Sequence, residues 1–186
     1  MALILASQSP RRKELLGYIT EDFTVRVSDV KEETDTTKSP EEIVISLAKI
    51  KGEAVFSENK EDTVISADTV VVLDEKILGK PHSREQAYQM LSSLSGRTHS
   101  VFTGVCVFSG DRIFSFAEKT EVCFCSLSEE DINAYIESGE PFDKAGAYGI
   151  QGSGCVLVEG INGDYYNVMG LPVAHLNRLL KENSLI

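Results

Sequence analysis

Apolar and polar positions along the 186-residue chain switch repeatedly between two periods. Leu3–Ala6 is a short apolar run that fits a strand. Ser9-Pro10 then opens a helix, with Ser9 as its N-cap, Pro10 at the first helical position, and Leu15, Leu16 and Ile19 inward. Phe23–Val27 alternates, which predicts a strand with Phe23, Val25 and Val27 on one face. Ser39-Pro40-Glu41-Glu42 repeats the helix-opening device, and that helix is expected to run to about Ser57. The β-branched run Thr63–Leu73 is expected as a buried central strand. Ser83–Leu94 reads as a third helix. Thr98–Phe108 and Ile113–Phe124 read as long strands around the turn Ser109-Gly110-Asp111, a hairpin. Ser128 caps a fourth helix, Ser128–Glu137, with Asp131 three residues on. A glycine-rich loop, Gly146–Gly154, leads to a strand at Cys155–Glu159 and a last helix from about Pro172 to Lys181. This alternation predicts a mixed α/β chain with antiparallel pairs, and no repeat or long linker divides it.

Composition narrows the class. Hydrophobic residues make up 42% and charged residues 25%, the balance of a soluble globular protein and not of a disordered one. With 29 acidic against 18 basic residues the net charge is −11, which argues against a general nucleic-acid binder. It still permits one basic pocket for a small anion. The strongest apolar run, Val64–Leu73, is broken by Asp68, so no membrane span is expected. Met1–Ala6 lacks the basic region of a signal peptide, and a cytoplasmic protein with reduced thiols is expected. The cysteines Cys106, Cys123, Cys125 and Cys155 form no CxxC pair and read mostly as core filler, and His82, His99 and His175 show no zinc spacing.

Several residues break the local rules. Arg11 and Arg12 occupy the first turn of a helix, where the macrodipole disfavours cations. They fit either a phosphate site, with Ser7, Gln8 and Ser9 as further donors, or a solvated basic patch. Asp68 sits within the expected buried strand, where a carboxylate costs several kcal/mol unless paired, protonated or metal-bound. Function is one reading, and a structural Asp bonded to backbone amides is the other. Lys51 shares a helical stripe with Val44, Ala48 and Val55, so its ammonium heads toward the core side. It snorkels out, the commoner fate, or meets an anion within the fold. Lys80 tips the turn Gly79-Lys80-Pro81. Gly146–Gly154 permits close backbone approach to a ligand, with Gln151 offering donor and acceptor, or is a plain flexible loop. It is neither a Walker A loop nor a Rossmann fingerprint. Glu32 and Glu33 lie in the acidic segment Asp29–Asp35, as a solvated charge run or as oxygen ligands for a hard ion. Cations grouped with carboxylates suit a nucleoside triphosphate with Mg²⁺ or Mn²⁺.

The motifs in chain order resemble the Maf family. They are Leu5-Ala6-Ser7-Gln8-Ser9-Pro10-Arg11-Arg12, Ala67-Asp68-Thr69-Val70-Val71, Leu78-Gly79-Lys80-Pro81, Ser95-Gly96-Arg97-Thr98-His99, Asp143-Lys144-Ala145-Gly146-Ala147-Tyr148-Gly149-Ile150-Gln151-Gly152 and Gly163-Asp164-Tyr165-Tyr166-Asn167-Val168-Met169-Gly170-Leu171-Pro172. The resemblance runs from Leu3 to about Leu180 and implies one domain over residues 1–186. The implied fold is inosine triphosphatase-like: an elongated, curved mixed sheet flanked by helices, with two lobes around a cleft. The implied activity is hydrolysis of a nucleoside triphosphate to the monophosphate and pyrophosphate, in a cytoplasmic, often dimeric, divalent-metal-dependent enzyme. The family was first named for inhibiting septum formation. Its dTTP/UTP branch carries Arg, Thr and Gln at three specificity positions, matched here by Arg12, Thr69 and Gln151. On this reading Asp68 is expected to act as general base and to help hold the metal, with Glu32, or Glu33, as the second metal carboxylate. Arg11, Lys51 and Lys80 are expected to neutralise the polyphosphate, with Ser7 and nearby amides completing the cradle. The alternative is a non-enzymatic nucleotide-binding regulator of septum formation, using its acidic surface for a basic partner. A pure adaptor has no need of Asp68 in a buried strand.

Overall fold

A computed structural model describes residues 2–27, 29, 30, 35 and 37–186. Strand β1 (Leu3–Leu5) runs parallel to both β2 (Thr24–Val25) and β3 (Thr63–Leu73), with Leu3, Ile4 and Leu5 opposite Thr63, Val64 and Ile65. Helices α1 (Pro10–Gly17) and α2 (Pro40–Ser57) lie between these strands in sequence. There follow β4 (Lys76–Leu78), α3 (Arg84–Leu94), β5 (Thr98–Ser109), β6 (Arg112–Phe124) and α4 (Glu129–Glu137). Then come β7 (Val158–Asn162), α5 (Tyr165–Met169) and α6 (Val173–Glu182). The strands form one seven-stranded mixed sheet in the order β2-β1-β3-β5-β6-β7, with β4 antiparallel on β3 and β7 antiparallel on β6. No helix among the described residues is long and apolar enough to cross a membrane.

The helix starts follow the capping chemistry expected of them. Ser39 and Glu42 form a reciprocal capping box on α2, as Ser128 and Asp131 do on α4, and Ser9 and Ser83 accept from the backbone N–H three residues on. Each such cap is worth about 1 kcal/mol.

The chain divides into two compact units. Unit 1 comprises Met1–Thr69, Thr103–Glu118 and Gly170–Ile186. Its core packs Ile4, Val64, Cys106 and Phe108 against Ala48 and Val55 of α2, with the Phe56 and Phe108 rings stacked at 5.5 Å. Full burial of each Val, Ile or Phe contributes roughly 1.5–3 kcal/mol. Two glycines set how closely α2 lies on the strands. A Cβ at Gly52 would come within 2.3 Å of Phe108 Cε2, and one at Gly104 within 2.4 Å of the Val44 backbone carbon. Ser66 Oγ donates to the Ala48 carbonyl at 2.7 Å across the same contact.

Unit 2 comprises Val70–Phe102 and Lys119–Met169. Its core joins Leu91 and Leu94 of α3, Ile132 and Ile136 of α4, and Val122 and Phe124 of β6. The His99, Phe124 and Tyr148 rings meet edge to face, with centroids 4.7–5.3 Å apart.

Several local expectations fail for identifiable reasons. Strand β2 is only two residues long, and Val25 and Val27 are 41% and 48% exposed, because β2 ends the sheet and nothing described covers that face. Gly152–Leu157 forms a 3-10 turn where the strand was expected to begin, so β7 starts at Val158. Strand β4 follows a two-residue turn in which Asp74 and Glu75 both have positive φ, a conformation normally signalled by Asn-Gly or Asp-Gly, so Asp-Glu gave no warning. Of the cysteines only Cys106 is core filler, since Cys123 and Cys125 are half-buried and Cys155 is exposed.

Candidate active site

Strand β3 and helix α2 step past one another in register. Ser66 and Asp68, two residues apart on a strand, share a face, and Ala48 and Lys51, three apart on a helix, share a side. Ser66 bonds the Ala48 carbonyl, and one step further Asp68 Oδ1 receives the Lys51 ammonium. The glycine-permitted approach of α2 therefore delivers Lys51 to the carboxylate, and the snorkelling reading of Lys51 is overturned. The two side chains retain 22% and 13% exposure, so the pair is reachable from solvent. Among the described residues Asp68 Oδ2 takes no hydrogen bond.

Thr69, the next residue of β3, opens a second constellation. Arg12 Nη2 donates to Thr69 Oγ1 at 3.0 Å, Nη1 to Ser7 Oγ at 3.4 Å, and Nε to the Gly170 carbonyl at 2.8 Å. Gly170 adopts φ +109°, which L side chains rarely take, so the carbonyl that anchors Arg12 depends on glycine. Ser7 is buried just beyond the carboxyl end of β1, and its Oγ also accepts from Ser9 N. Thr69 Oγ1 lies 2.9 Å from Thr103 Oγ1 on the neighbouring β5. Arg12 is thus tied into the protein and does not belong to a solvated patch. Arg11, half-buried in the same helical turn, has no ion pair or hydrogen bond among the described residues.

Unit 2 carries the other two expected binding residues. Lys80 is exposed, and the carbonyl of its neighbour Gly79 accepts from Gly146 N at 3.0 Å. The loop beginning at Gly146 is not the plain flexible loop considered above, because Gly146–Ile150 is buried throughout. Gly149 N donates to the Tyr135 hydroxyl at 3.0 Å, and His99 Nε2 lies 2.7 Å from the Tyr148 hydroxyl. A Cβ at Gly154 would meet the Gly149 carbonyl at 2.1 Å. Burial holds His99 down at about 4 and raises the Tyr148 phenol well above its ordinary range, so both are neutral near pH 7. Gln151, half-buried at the end of this segment, makes no hydrogen bond among the described residues.

Sequence reasoning missed Gly52, Gly104 and Thr103 in unit 1, and His99, Tyr135 and Tyr148 as a framework in unit 2. A glycine inside a helical or strand pattern was the available signal for the first two. Glu32 and Glu33 lie outside the described residues. Among the described residues no three His, Cys, Asp or Glu side chains gather where they could hold a metal ion.

The profile of the Maf-like protein family matches residues 2–183. The chain belongs to that family. A Bacillus velezensis protein named dTTP/UTP pyrophosphatase is 54% identical over 180 residues, 97% of this chain and 95% of that protein. A Bacillus cereus protein of the same name is 50% identical over 97% of this chain and 94% of its own length. The Staphylococcus aureus Ham1 protein superposes with a TM-score of 0.59 at 14% identity, covering 97% of this chain and 98% of that one. The Maf-like chain therefore has the mixed, helix-flanked sheet of Ham1 proteins, as the resemblance implied.

Proposed function

We propose that this protein is a nucleoside triphosphate pyrophosphatase that hydrolyses dTTP and UTP to the monophosphate and pyrophosphate. The pair that Lys51 of α2 makes with Asp68 of β3 carries this reading, in a chain half-identical to relatives named for that activity. A charged pair at this depth costs desolvation that a simple scaffold avoids by using apolar residues.

In the proposed reaction Asp68 Oδ2 accepts a proton from the water that attacks the α-phosphorus. The bond from the α-phosphorus to the α–β bridging oxygen breaks, and pyrophosphate leaves. Lys51 holds the carboxylate through Oδ1, so the accepting oxygen is oriented without a conformational search. Arg11, Lys51, Lys80 and the Ser7 hydroxyl stabilise the polyphosphate charge, and Arg12, Thr69 and Gln151 read the base. A divalent ion, Mg²⁺ or Mn²⁺, supplies Lewis-acid stabilisation of phosphate oxygens when bound. Oδ2 takes no hydrogen bond among the described residues and carries two lone pairs, so Asp68 would help hold such an ion and still keep a lone pair for the water's proton. Asp68 and Glu32 are the proposed holders. The reading treats residues 1–186 as one Maf-like domain and extends to a cytoplasmic homodimer.

The test is pyrophosphate release from dTTP, UTP, CTP, 7-methyl-GTP and inosine triphosphate with Mg²⁺ or Mn²⁺. Fastest release from dTTP and UTP is expected. Nucleotide binding without release under either metal overturns the enzyme reading in favour of the regulator.

A further inference from the structure

We infer that Thr103 is a positioning residue for base selection, setting the hydrogen-bond polarity that the Thr69 hydroxyl presents to the substrate. The inference rests on the proposed reading of Thr69 as a base contact.

An arginine can only donate, so Arg12 Nη2 at 3.0 Å occupies one lone pair of Thr69 Oγ1. A hydroxyl has one proton and two acceptor sites. The 2.9 Å contact with Thr103 Oγ1 consumes either the proton or the second lone pair. One valence of Thr69 is then left, a donor where Thr103 donates to Thr69 and an acceptor where Thr103 accepts from it. Thr103 is fully buried on β5, whereas Thr69 is half-buried, so Thr103 acts from behind. Its β-branched side chain is stiff at χ1, which holds its oxygen beside Thr69.

This polarity matters for the chemistry under discussion. Thymine and uracil offer an acceptor at O4 and a donor at N3, whereas cytosine offers a donor at N4 and an acceptor at N3. A hydroxyl of fixed polarity distinguishes the two patterns, and one free to rotate satisfies both. The Arg12 contact alone leaves the Thr69 hydroxyl with a proton and a lone pair, and hence without a preference.

The experiment compares wild type, Thr103→Val and Thr103→Ser for pyrophosphate release from dTTP, UTP and CTP, with kcat and KM resolved and folding checked by circular dichroism. Thr103→Val keeps the shape and removes the hydroxyl, and it is expected to lower the dTTP-to-CTP ratio of kcat/KM about tenfold, one hydrogen bond's worth. Thr103→Ser restores the hydroxyl and is expected to keep the ratio. An unchanged ratio in Thr103→Val, or a uniform loss with all three nucleotides, overturns the inference while leaving the pyrophosphatase reading intact. A wild type with no preference for dTTP and UTP over CTP overturns both. If Thr103→Val does not fold, Thr103→Ala is measured against Thr103→Ser, with the same outcomes deciding.

Discussion

In unit 1 the polar groups of the candidate site are held by other polar groups: Lys51 on Asp68, Arg12 on Thr69, Ser7 and the Gly170 carbonyl, Thr69 on Thr103. In unit 2 the loop leading to Gln151 is held by bare backbone and buried neutral rings, through Tyr135 on Gly149 N and His99 on Tyr148. A charged framework fixes the orientation of each side chain but depends on every partner being present. A ring-and-glycine framework fixes the path of a backbone and leaves its polar passenger unbonded. The first arrangement suits a group whose protonation and direction matter, and the second suits a group that must meet a partner of variable shape.

The comparison breaks most readily at Asp68. Asp68→Asn keeps the volume and removes the proton acceptor, so turnover of dTTP is expected to fall by at least about a hundredfold in a folded protein. Pyrophosphate release and circular dichroism check this together. Near-normal turnover removes Asp68 from the mechanism and makes the Lys51 pair purely structural.

Next in size is the contact that brings α2 onto the strands. Gly104→Ala places a methyl 2.4 Å from the Val44 carbon and 2.6 Å from the Ile45 nitrogen, and backbone atoms cannot rotate aside. A loss of about 3 kcal/mol is expected, read from the urea midpoint, with turnover falling as Lys51 withdraws from Asp68. Wild-type stability with wild-type turnover in this variant would show that the close approach is not what delivers Lys51.

This dependence also explains which parts the sequence made legible. Helix starts depend on residues four or fewer apart, so Ser9, Ser39 and Ser128 announced them correctly. The long strand Thr63–Leu73 announced itself by its β-branched run, and Asp68 by interrupting it. Lys51 was placed on the right stripe, but its partner is 17 residues away and the deciding glycines lie on both α2 and β5. Thr103 looked like any strand threonine, because its role exists only across two paired strands. The sequence motifs around Gly146–Gly154 showed that the loop was special. They did not show that Tyr135 and His99, far upstream, hold it.

Unit 2 makes a pH prediction that unit 1 does not. Folded His99 stays neutral down to about pH 4, while the unfolded imidazole protonates near 6.5. The unfolded state therefore binds more protons between these values, and stability falls as the pH is lowered through that window. The full loss is roughly 3 kcal/mol once the pH is below 4. His99→Gln can still hydrogen-bond Tyr148 but does not titrate. Urea midpoints between pH 6.5 and 4.5 are expected to fall more steeply for wild type than for His99→Gln. Equal slopes mean that solvent reaches the ring and that the framework is looser than its burial indicates.

The smallest expected effect sharpens the contrast best. Gln151 is the passenger of the neutral framework and lacks hydrogen bonds to the described residues, so changing it leaves the loop's own contacts untouched. Gln151→Glu replaces an amide that both donates and accepts with a carboxylate that only accepts. Stability is expected to stay within about 0.5 kcal/mol of wild type, as for a surface change. Discrimination of dTTP and UTP over CTP is expected to shrink by about 1 kcal/mol, through loss of a donor to the base. A stability loss larger than the change in substrate ranking reverses the assignment: Gln151 is then part of the frame that holds the loop, and base reading in unit 2 falls to the backbone beside it.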